Sequence, residues 1–139
     1  EMSAETGLAV RALAGGRAAV EGADIICTLT SSRTPVLHGD WVSAGAHINL
    51  VGSSYAGPVE VDHDLILRAR LIADSREVLA AKAAGLIDDG HVVGEIGQVF
   101  DGALEGRQSS DQITAYKSLG HIVQDLASAQ ALMERQSFR

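Results

Sequence analysis

The segment INLVGSSYAGPVEVD, residues 48–62, joins a hydrophobic run to a cluster of small residues that carry hydroxyl groups. Val51 and Gly52 end the run, and Ser53 and Ser54 follow directly. Small polar residues at the carboxyl end of a strand are typical of the rim of a nucleotide site in a parallel sheet. A serine hydroxyl without a neighbouring base does not ionise near neutral pH, so it donates hydrogen bonds but does not act as a proton-transfer group. The segment therefore predicts contact with a cofactor or substrate.

Two other hydrophobic runs also end in polar residues. The run ADIICTLT, residues 23–30, is followed by two serines, and the run at 71–75 ends in Asp74 and Ser75. Because the carboxyl ends of parallel strands meet at one edge of a sheet, we expect these two ends and the end at Gly52 to face one crevice. Asp74 and Ser75 are also typical of helix caps, and we assign them that role.

The elements that would position these residues alternate along the chain. The predicted strands are 8–13, 23–30, 46–52 and 71–75. The predicted helices are 2–7, 15–22, 61–70, 75–85, 94–101 and a long last helix from about residue 119. Strands that are apolar throughout and alternate with helices predict an α/β fold with a parallel, Rossmann-type sheet.

Composition excludes several classes of partner. The chain has 139 residues, a net charge of -7 and only scattered basic residues, so neither nucleic acid nor an anionic membrane surface is an expected partner. No apolar run approaches the ~18 residues that span a bilayer, and from this sequence we expect no signal peptide. The single cysteine, Cys27, lies in an apolar run, which predicts a buried thiol and fits a reducing cytoplasm.

Two further signals are missing from the sequence. No H-x-x-x-H pair occurs among the histidines, so no metal site is expected; they are His38, His47, His63, His91 and His121. The pattern G-x-G-x-x-G, which cradles the phosphates of a dinucleotide, is also missing. A parallel sheet without this loop predicts that the chain is part of a larger domain.

Four blocks of the sequence together resemble the carboxyl-terminal part of the ornithine cyclodeaminase/mu-crystallin family. They are, in order, GADIICTLTSSRTPVLHGDWVSAGAHINLVGS, VEVDHDL, ADSRE and ITAYKSLGHIVQDLASA. Members are NAD(P)-dependent and usually homodimeric, with a Rossmann domain inserted into a second domain. The resemblance implies that residues 1–114 belong to the NAD(P)-binding Rossmann domain and that residues 115–139 return to the substrate and dimerisation domain. It also implies that the first strands, the glycine-rich loop and the basic residues that bind the substrate carboxylate precede residue 1.

The resemblance also implies which positions line the cofactor. They are Thr28, Leu29, Thr30, Val51, Gly52, Ser54, Lys117 and Ser118. In ornithine cyclodeaminases the position of Ser54 is an aspartate that serves deamination and cyclisation. In the mu-crystallin and ketimine-reductase branch, a serine at this position lies beside the cofactor. The resemblance therefore favours an NAD(P)-dependent reductase of small cyclic imines, ketimines or amino acids, with no catalytic side chain among these positions.

Other functions stay open on the sequence. An ornithine cyclodeaminase would convert L-ornithine to L-proline and ammonia with NAD, and an alanine-dehydrogenase-like activity is a third alternative. A mu-crystallin-like binding protein or an inactive fragment would not be an enzyme at all. The choice between NAD and NADP stays open too, because the residues that contact the ribose 2′ position would precede residue 1.

Some of these residues also have simpler interpretations. Ser118 would cap the last helix, with Lys117 exposed to solvent. Glu60 and Asp62 would mark the start of the helix predicted at 61–70, where negative charge is favourable. Ser54 would be a loop serine that faces water, since serine is common in turns.

Overall fold

The computed structural model describes residues 2–52, 59–82, 87 and 90–136. Its strands are β1 (Ile25–Thr28), β2 (His47–Leu50), β3 (Arg70–Ala73), β4 (Val92–Glu95) and β5 (Thr114–Lys117). Its helices are α1 (Met2–Thr6), α2 (Gly16–Val20), α3 (His63–Arg68), α4 (Arg76–Lys82), α5 (Ile96–Phe100) and α6 (Ile122–Gln136), with a short 3-10 turn at Gly39–Trp41.

The strands form one parallel sheet in the order β1-β2-β5-β3-β4. Successive parallel strands need crossover connections, and helices supply three of them: α3 between β2 and β3, α4 between β3 and β4, and α5 between β4 and β5. The last strand in the sequence, β5, enters the centre of the sheet. The prediction of an α/β fold with a parallel sheet is confirmed.

The hydrophobic core packs helices against the central strands. Ile48 on β2, Leu71 on β3 and Ala115 on β5 are buried, and Leu65 of α3 and Leu79 of α4 join the same cluster. Burial of one such large aliphatic side chain stabilises a fold by about 1.5–3 kcal/mol. This layer therefore fixes the strands whose carboxyl ends form the candidate site.

Strand β1 buries only one of its two faces. Ile26 and Thr28 are buried, whereas Ile25 and Cys27 are exposed. The predictions that this run is buried on both faces and that Cys27 is a buried thiol are therefore wrong. The physical reason is position, because β1 is an edge strand of the described sheet and its outward residues face away from the core.

The boundaries of several elements differ from the sequence predictions. Residues 8–13 form no strand, because they lie exposed and pair with no other strand among the described residues. Strands β4 and β5 were not predicted. Gly120 has a φ of 73°, in the left-handed region that favours glycine, so α6 begins after it, at Ile122.

The remaining predicted boundaries are near the observed ones. Helix α3 lies within the predicted 61–70, and α4 begins directly after Ser75. The predicted end of α4 at Gly85 and the position of Ser54 lie outside the described residues. Residues 115–117, assigned above to a returning segment, are part of β5. Among the described helices, none combines the length and the apolar character that a bilayer span requires.

Candidate functional site

The carboxyl ends of four neighbouring strands lie side by side. Thr28 of β1 is in register with Leu50 of β2, Leu50 with Lys117 of β5, and Lys117 with Ala73 of β3. The polar residues that follow these strands therefore emerge at one edge of the sheet. In parallel α/β sheets this edge is where ligands bind.

Backbone hydrogen bonds extend this alignment beyond the last paired residues. The amides of Val51 and Gly52 both donate to the carbonyl oxygen of Thr28, each at 3.1 Å. The amide of Ser118 donates to the carbonyl oxygen of Leu50 at 3.0 Å. These contacts hold residues 51–52 next to the end of β1 and Ser118 next to the end of β2. The structure thus brings together the segments that the sequence predicted to share a crevice.

Glu60 lies buried beside the end of β1, with 2% of its surface exposed. Its Oε2 atom accepts a hydrogen bond from the hydroxyl of Thr28 at 2.8 Å, and its Oε1 atom accepts one from the amide of Thr30. The interpretation that Glu60 marks the start of the helix is therefore wrong, because its carboxylate binds the end of β1. That interpretation does hold for Asp62, which caps α3 by accepting a hydrogen bond from the amide of Leu65 at 3.0 Å.

Gly52 packs directly against Glu60. A Cβ atom added at Gly52 would lie 2.2 Å from Cδ of Glu60 and 2.2 Å from the carbonyl oxygen of Thr30. Both distances are far below van der Waals contact, so only glycine fits at this position without a shift of the backbone. The lack of a side chain at Gly52 lets the end of β2 pack against the end of β1. It also lets Gly52 contact the Glu60 carboxylate, which binds the end of β1.

Lys117 is buried at the end of the central strand β5, with 1% of its surface exposed. Its ammonium donates hydrogen bonds to the carbonyl oxygens of Leu50, at 3.3 Å, and Gly52, at 2.5 Å. Burial lowers the pKa of Lys117 to about 8, although the negative charges of Glu60 and Asp74 oppose that shift. The alternative in which Lys117 is exposed to solvent is therefore wrong.

Asp74 connects the end of β3 to the segment after β5. Its Oδ2 atom accepts a hydrogen bond from the amide of Leu119 at 2.7 Å, and its Oδ1 atom accepts one from the amide of Ser75 at 2.8 Å. The hydroxyl of Ser75 accepts from the amide of Val78 at 3.3 Å, so Ser75 caps α4 as predicted. Asp74 does more than cap that helix, because it also fixes the course of the chain past Ser118.

Tyr116 and Ser118 lie on either side of Lys117 and are partly buried. Burial raises the pKa of the Tyr116 hydroxyl, and the charge of Asp74 adds to the rise, while hydrogen bonds to Gln124 and Ser118 oppose it. The Tyr116 hydroxyl accepts a hydrogen bond from Nε2 of Gln124 at 3.0 Å. Helix α6 begins at Ile122, so Ser118 does not immediately precede the helix and is not its N-cap residue. The interpretation of Ser118 as the cap of the last helix is therefore wrong.

The predicted site residues differ in accessibility. Leu29 is 70% exposed and Val51 38% exposed, Thr30 is also exposed, and Gly52 and Ser118 are partly exposed. Thr28 and Lys117 are buried, and Ser54 lies outside the described residues. The accessible part of this rim consists of backbone groups, hydroxyls and two apolar side chains. Such a surface suits a ligand that brings its own reactive group.

Asp74 was predicted at this edge only as a helix cap, without its hydrogen bond to the amide of Leu119. Glu60 was not predicted as part of this site. The available signal was the alternation of VEVD, residues 59–62, which places Glu60 between two valines. Among the described residues, no group of three or more histidine, cysteine or acidic side chains is arranged to hold a metal ion.

Comparison with known proteins identifies related chains. Residues 1–138 match the model of the ornithine cyclodeaminase/mu-crystallin family. The chain is 39% identical to the ketimine reductase mu-crystallin of Mus musculus over 127 residues, which is 90% of this chain and 40% of that protein. It is 37% identical to the Delta(1)-pyrroline-2-carboxylate reductase of Colwellia psychrerythraea over 126 residues, which is 85% of this chain and 40% of that protein.

A solved structure has the same fold. The Delta(1)-pyrroline-2-carboxylate reductase of Thermococcus litoralis, in complex with NADH and L-proline, superposes with a TM-score of 0.81 at 31% identity. The superposition covers 96% of this chain and 46% of that one. The chain therefore spans less than half the length of the relatives that it matches.

Proposed function

The chain belongs to the ornithine cyclodeaminase/mu-crystallin family, and on that basis we propose that it forms part of an NAD(P)-dependent oxidoreductase. The proposed substrate is a small cyclic imine or ketimine, which is reduced to the corresponding amino acid. The observation that carries the proposal is the register of Thr28, Leu50 and Lys117, which aligns the ends of β1, β2 and β5 at one edge of the sheet. We propose that residues 28–30, 51–52 and 118 line one crevice at this edge. The names of the two reductases described above support the choice of substrate class.

The residues at this rim fit a dinucleotide cofactor. Leu29 and Val51 present exposed apolar surface, while Thr30 and Ser118 offer hydroxyl groups beside it. We assign the direct cofactor contacts to Leu29, Val51, Thr30, Ser118 and the backbone of Gly52. Thr28 is buried and would position these residues without contacting the cofactor. A nicotinamide cofactor supplies the hydride in such a reaction, and the protein orients it and excludes water.

Ser54 remains the proposed difference between a reductase and a cyclodeaminase. A serine at this position donates a hydrogen bond to the nicotinamide or the substrate but does not provide an ionised base. On this proposal the protein reduces an imine with consumption of NADH or NADPH. An ornithine cyclodeaminase would instead release ammonia without net oxidation of the cofactor.

The wider organisation of the protein is also part of the proposal. We place the segment that returns to a substrate and dimerisation domain from residue 118 onward, because residues 115–117 belong to β5. Helix α6 exposes its residues 122–135, including Leu126 and Met133, which suits packing against such a domain in a homodimer. A cytoplasmic location is proposed from the presence of a single cysteine.

The proposal is tested on the polypeptide that contains residues 1–139. Nicotinamide fluorescence measures the binding of NADH and NADPH, and absorbance follows their oxidation with Δ1-pyrroline-2-carboxylate. A parallel assay follows ammonia release from L-ornithine with NAD. Imine-dependent oxidation of NADH or NADPH supports the reductase. Ammonia and proline without net change in the cofactor would replace it with the cyclodeaminase, and absence of cofactor binding would reject both.

A further inference from the structure

Two buried groups of opposite charge lie at the carboxyl edge of the sheet, outside any contact that the proposed reaction uses. Glu60 and Lys117 are each almost completely inaccessible. Removing a carboxylate and an ammonium from water costs free energy, which is recovered only through well-formed hydrogen bonds and mutual attraction. Their hydrogen-bond partners therefore indicate what the pair does.

Each charge binds the end of a strand to which it does not belong. The carboxylate of Glu60 accepts hydrogen bonds from the hydroxyl of Thr28 and the amide of Thr30, at the end of β1. The ammonium of Lys117, on β5, donates to the carbonyls of Leu50 and Gly52, at the end of β2. The groups bound by the two charges therefore include backbone atoms at the end of β1 and at the end of β2, which lie on the two sides of the proposed crevice.

The two sets of contacts meet at Gly52. Its carbonyl oxygen binds Lys117, and its Cα approaches Glu60 and the Thr30 carbonyl so closely that a Cβ atom would lie 2.2 Å from each. The two charges also interact with each other, since Glu60 favours the protonated form of Lys117. A displacement of either charge would therefore move the ends of both strands.

We propose that Glu60 and Lys117 form a buried clamp that fixes the backbone of residues 28–30 against residues 50–52. Both are positioning residues, and Lys117 acts on the cofactor through the backbone of Gly52 and not by direct contact. The clamp itself follows from the geometry, whereas its effect on the cofactor rests on the proposed function. The tests below separate these two parts.

The first test uses variants that remove one charge at a time in the polypeptide that contains residues 1–139. Glu60→Gln keeps an oxygen acceptor for the Thr30 amide but removes the charge opposite Lys117. Lys117→Met keeps most of the volume but removes both hydrogen bonds to the carbonyls. Arg70→Met is the matched control. Arg70 also donates to two backbone carbonyls, those of Glu105 and Gly106, but it lies at the amino end of β3, away from the clamp.

The clamp predicts a specific kinetic pattern. Lys117→Met is expected to raise the KM for the nicotinamide cofactor about tenfold while kcat changes less than about threefold, because binding is lost and not the chemistry. Glu60→Gln is also expected to raise KM. The double variant is expected to raise KM by less than the product of the two single effects. Arg70→Met leaves KM within about twofold of the parent protein. The proposal would be overturned if Arg70→Met raised KM as much as Lys117→Met does. It would also be overturned if the KM effects of the two clamp variants simply multiplied in the double variant.

A second measurement does not depend on activity. Hydrogen exchange of the Thr30 and Gly52 amides is compared between the parent protein, Lys117→Met and Arg70→Met. The clamp predicts exchange about tenfold faster or more at both amides in Lys117→Met, with no such change in Arg70→Met. Unchanged exchange in Lys117→Met would disprove the clamp. Faster exchange without any cofactor binding in the parent protein would establish the clamp and reject the proposed function.

Discussion

The carboxylate of Asp74 accepts a hydrogen bond from the backbone amide of Leu119, 2.7 Å away, and so ties the end of β3 to the segment that follows β5. Leu119 is itself buried. The contact fixes the direction in which the chain leaves the sheet, with Ser118 directly before it. The position of Ser118 at the edge of the sheet therefore depends on a side chain from the end of a neighbouring strand.

Asp74→Ala should destabilise the protein by about 1–3 kcal/mol, because it leaves the buried Leu119 amide without its acceptor. The free energy of unfolding in urea measures this effect. Asp125→Ala, at an exposed position on α6, is the control and should change stability by less than about 0.5 kcal/mol. Equal effects of the two substitutions would show that the Asp74 contact contributes nothing specific.

Gly52→Ala should be strongly destabilising, by about 3 kcal/mol, because the new methyl group collides with Glu60 and the Thr30 carbonyl. Gly97→Ala is the matched control. Nothing lies within 4 Å of a Cβ at Gly97, which is in α5, so alanine there should stabilise by about 0.5–1 kcal/mol. Urea denaturation of both variants checks the pair, and a neutral Gly52→Ala would contradict the described packing.

Stability should depend on pH through Lys117. Its pKa is about 8 in the folded protein, below the ordinary value of 10.5, so between these values the unfolded chain binds more protons than the folded one. Stability attributable to Lys117 therefore rises as pH increases from about 8 to 10.5, by up to about 3 kcal/mol, and is lost as pH falls back through that window.

Lys117→Met isolates this contribution, because all other titrating groups stay the same in both proteins. The difference in unfolding free energy between the parent protein and Lys117→Met should shift in favour of the parent as pH rises from 8 to 10. Urea titrations at intervals across this range measure it. A pH-independent difference would mean that Lys117 titrates at its ordinary value.

Ser118→Ala should weaken binding of the nicotinamide cofactor by about three- to tenfold, since it removes one proposed hydrogen bond. Stability should fall by no more than about 1 kcal/mol, because the substitution removes only the side-chain hydrogen bond to Tyr116 and the backbone amide of Ser118 still donates to Leu50. Ser128→Ala, on the exposed face of α6, serves as the control, and nicotinamide fluorescence gives the affinities. Identical affinities for both variants would remove Ser118 from the proposed site.

The sequence predicted those parts of the fold in which hydrophobic pattern and structure agree. The runs at 23–30 and 46–52 contain β1 and β2, the run at 71–75 overlaps β3, and their polar ends do meet at one edge. An apolar run identifies a strand in a parallel sheet because helices cover the sheet on its faces. The same pattern gave no information on which strands would be at the edge, so the exposure of Cys27 was missed.

Strand β5 shows why other parts of the fold could not be predicted from the sequence. Its residues TAYK, 114–117, begin with Thr114 and end with Lys117, and neither is typical of a central buried strand. Lys117 is buried only because its ammonium donates to the carbonyls of Leu50 and Gly52 and is attracted by the carboxylates of Glu60 and Asp74. These groups come from distant parts of the chain, and no local pattern reveals that they meet. For the same reason Glu60 was assigned to a helix start.

The most direct test of the proposed function follows the hydride itself. The polypeptide that contains residues 1–139 is incubated with Δ1-pyrroline-2-carboxylate and NADH that carries deuterium at the hydride-donating carbon of its nicotinamide. The proposal predicts proline with deuterium on the carbon that bears the carboxylate, formed in proportion to the NADH consumed. Absence of deuterium in proline, together with ammonia release in a parallel incubation with L-ornithine and NAD, would contradict it.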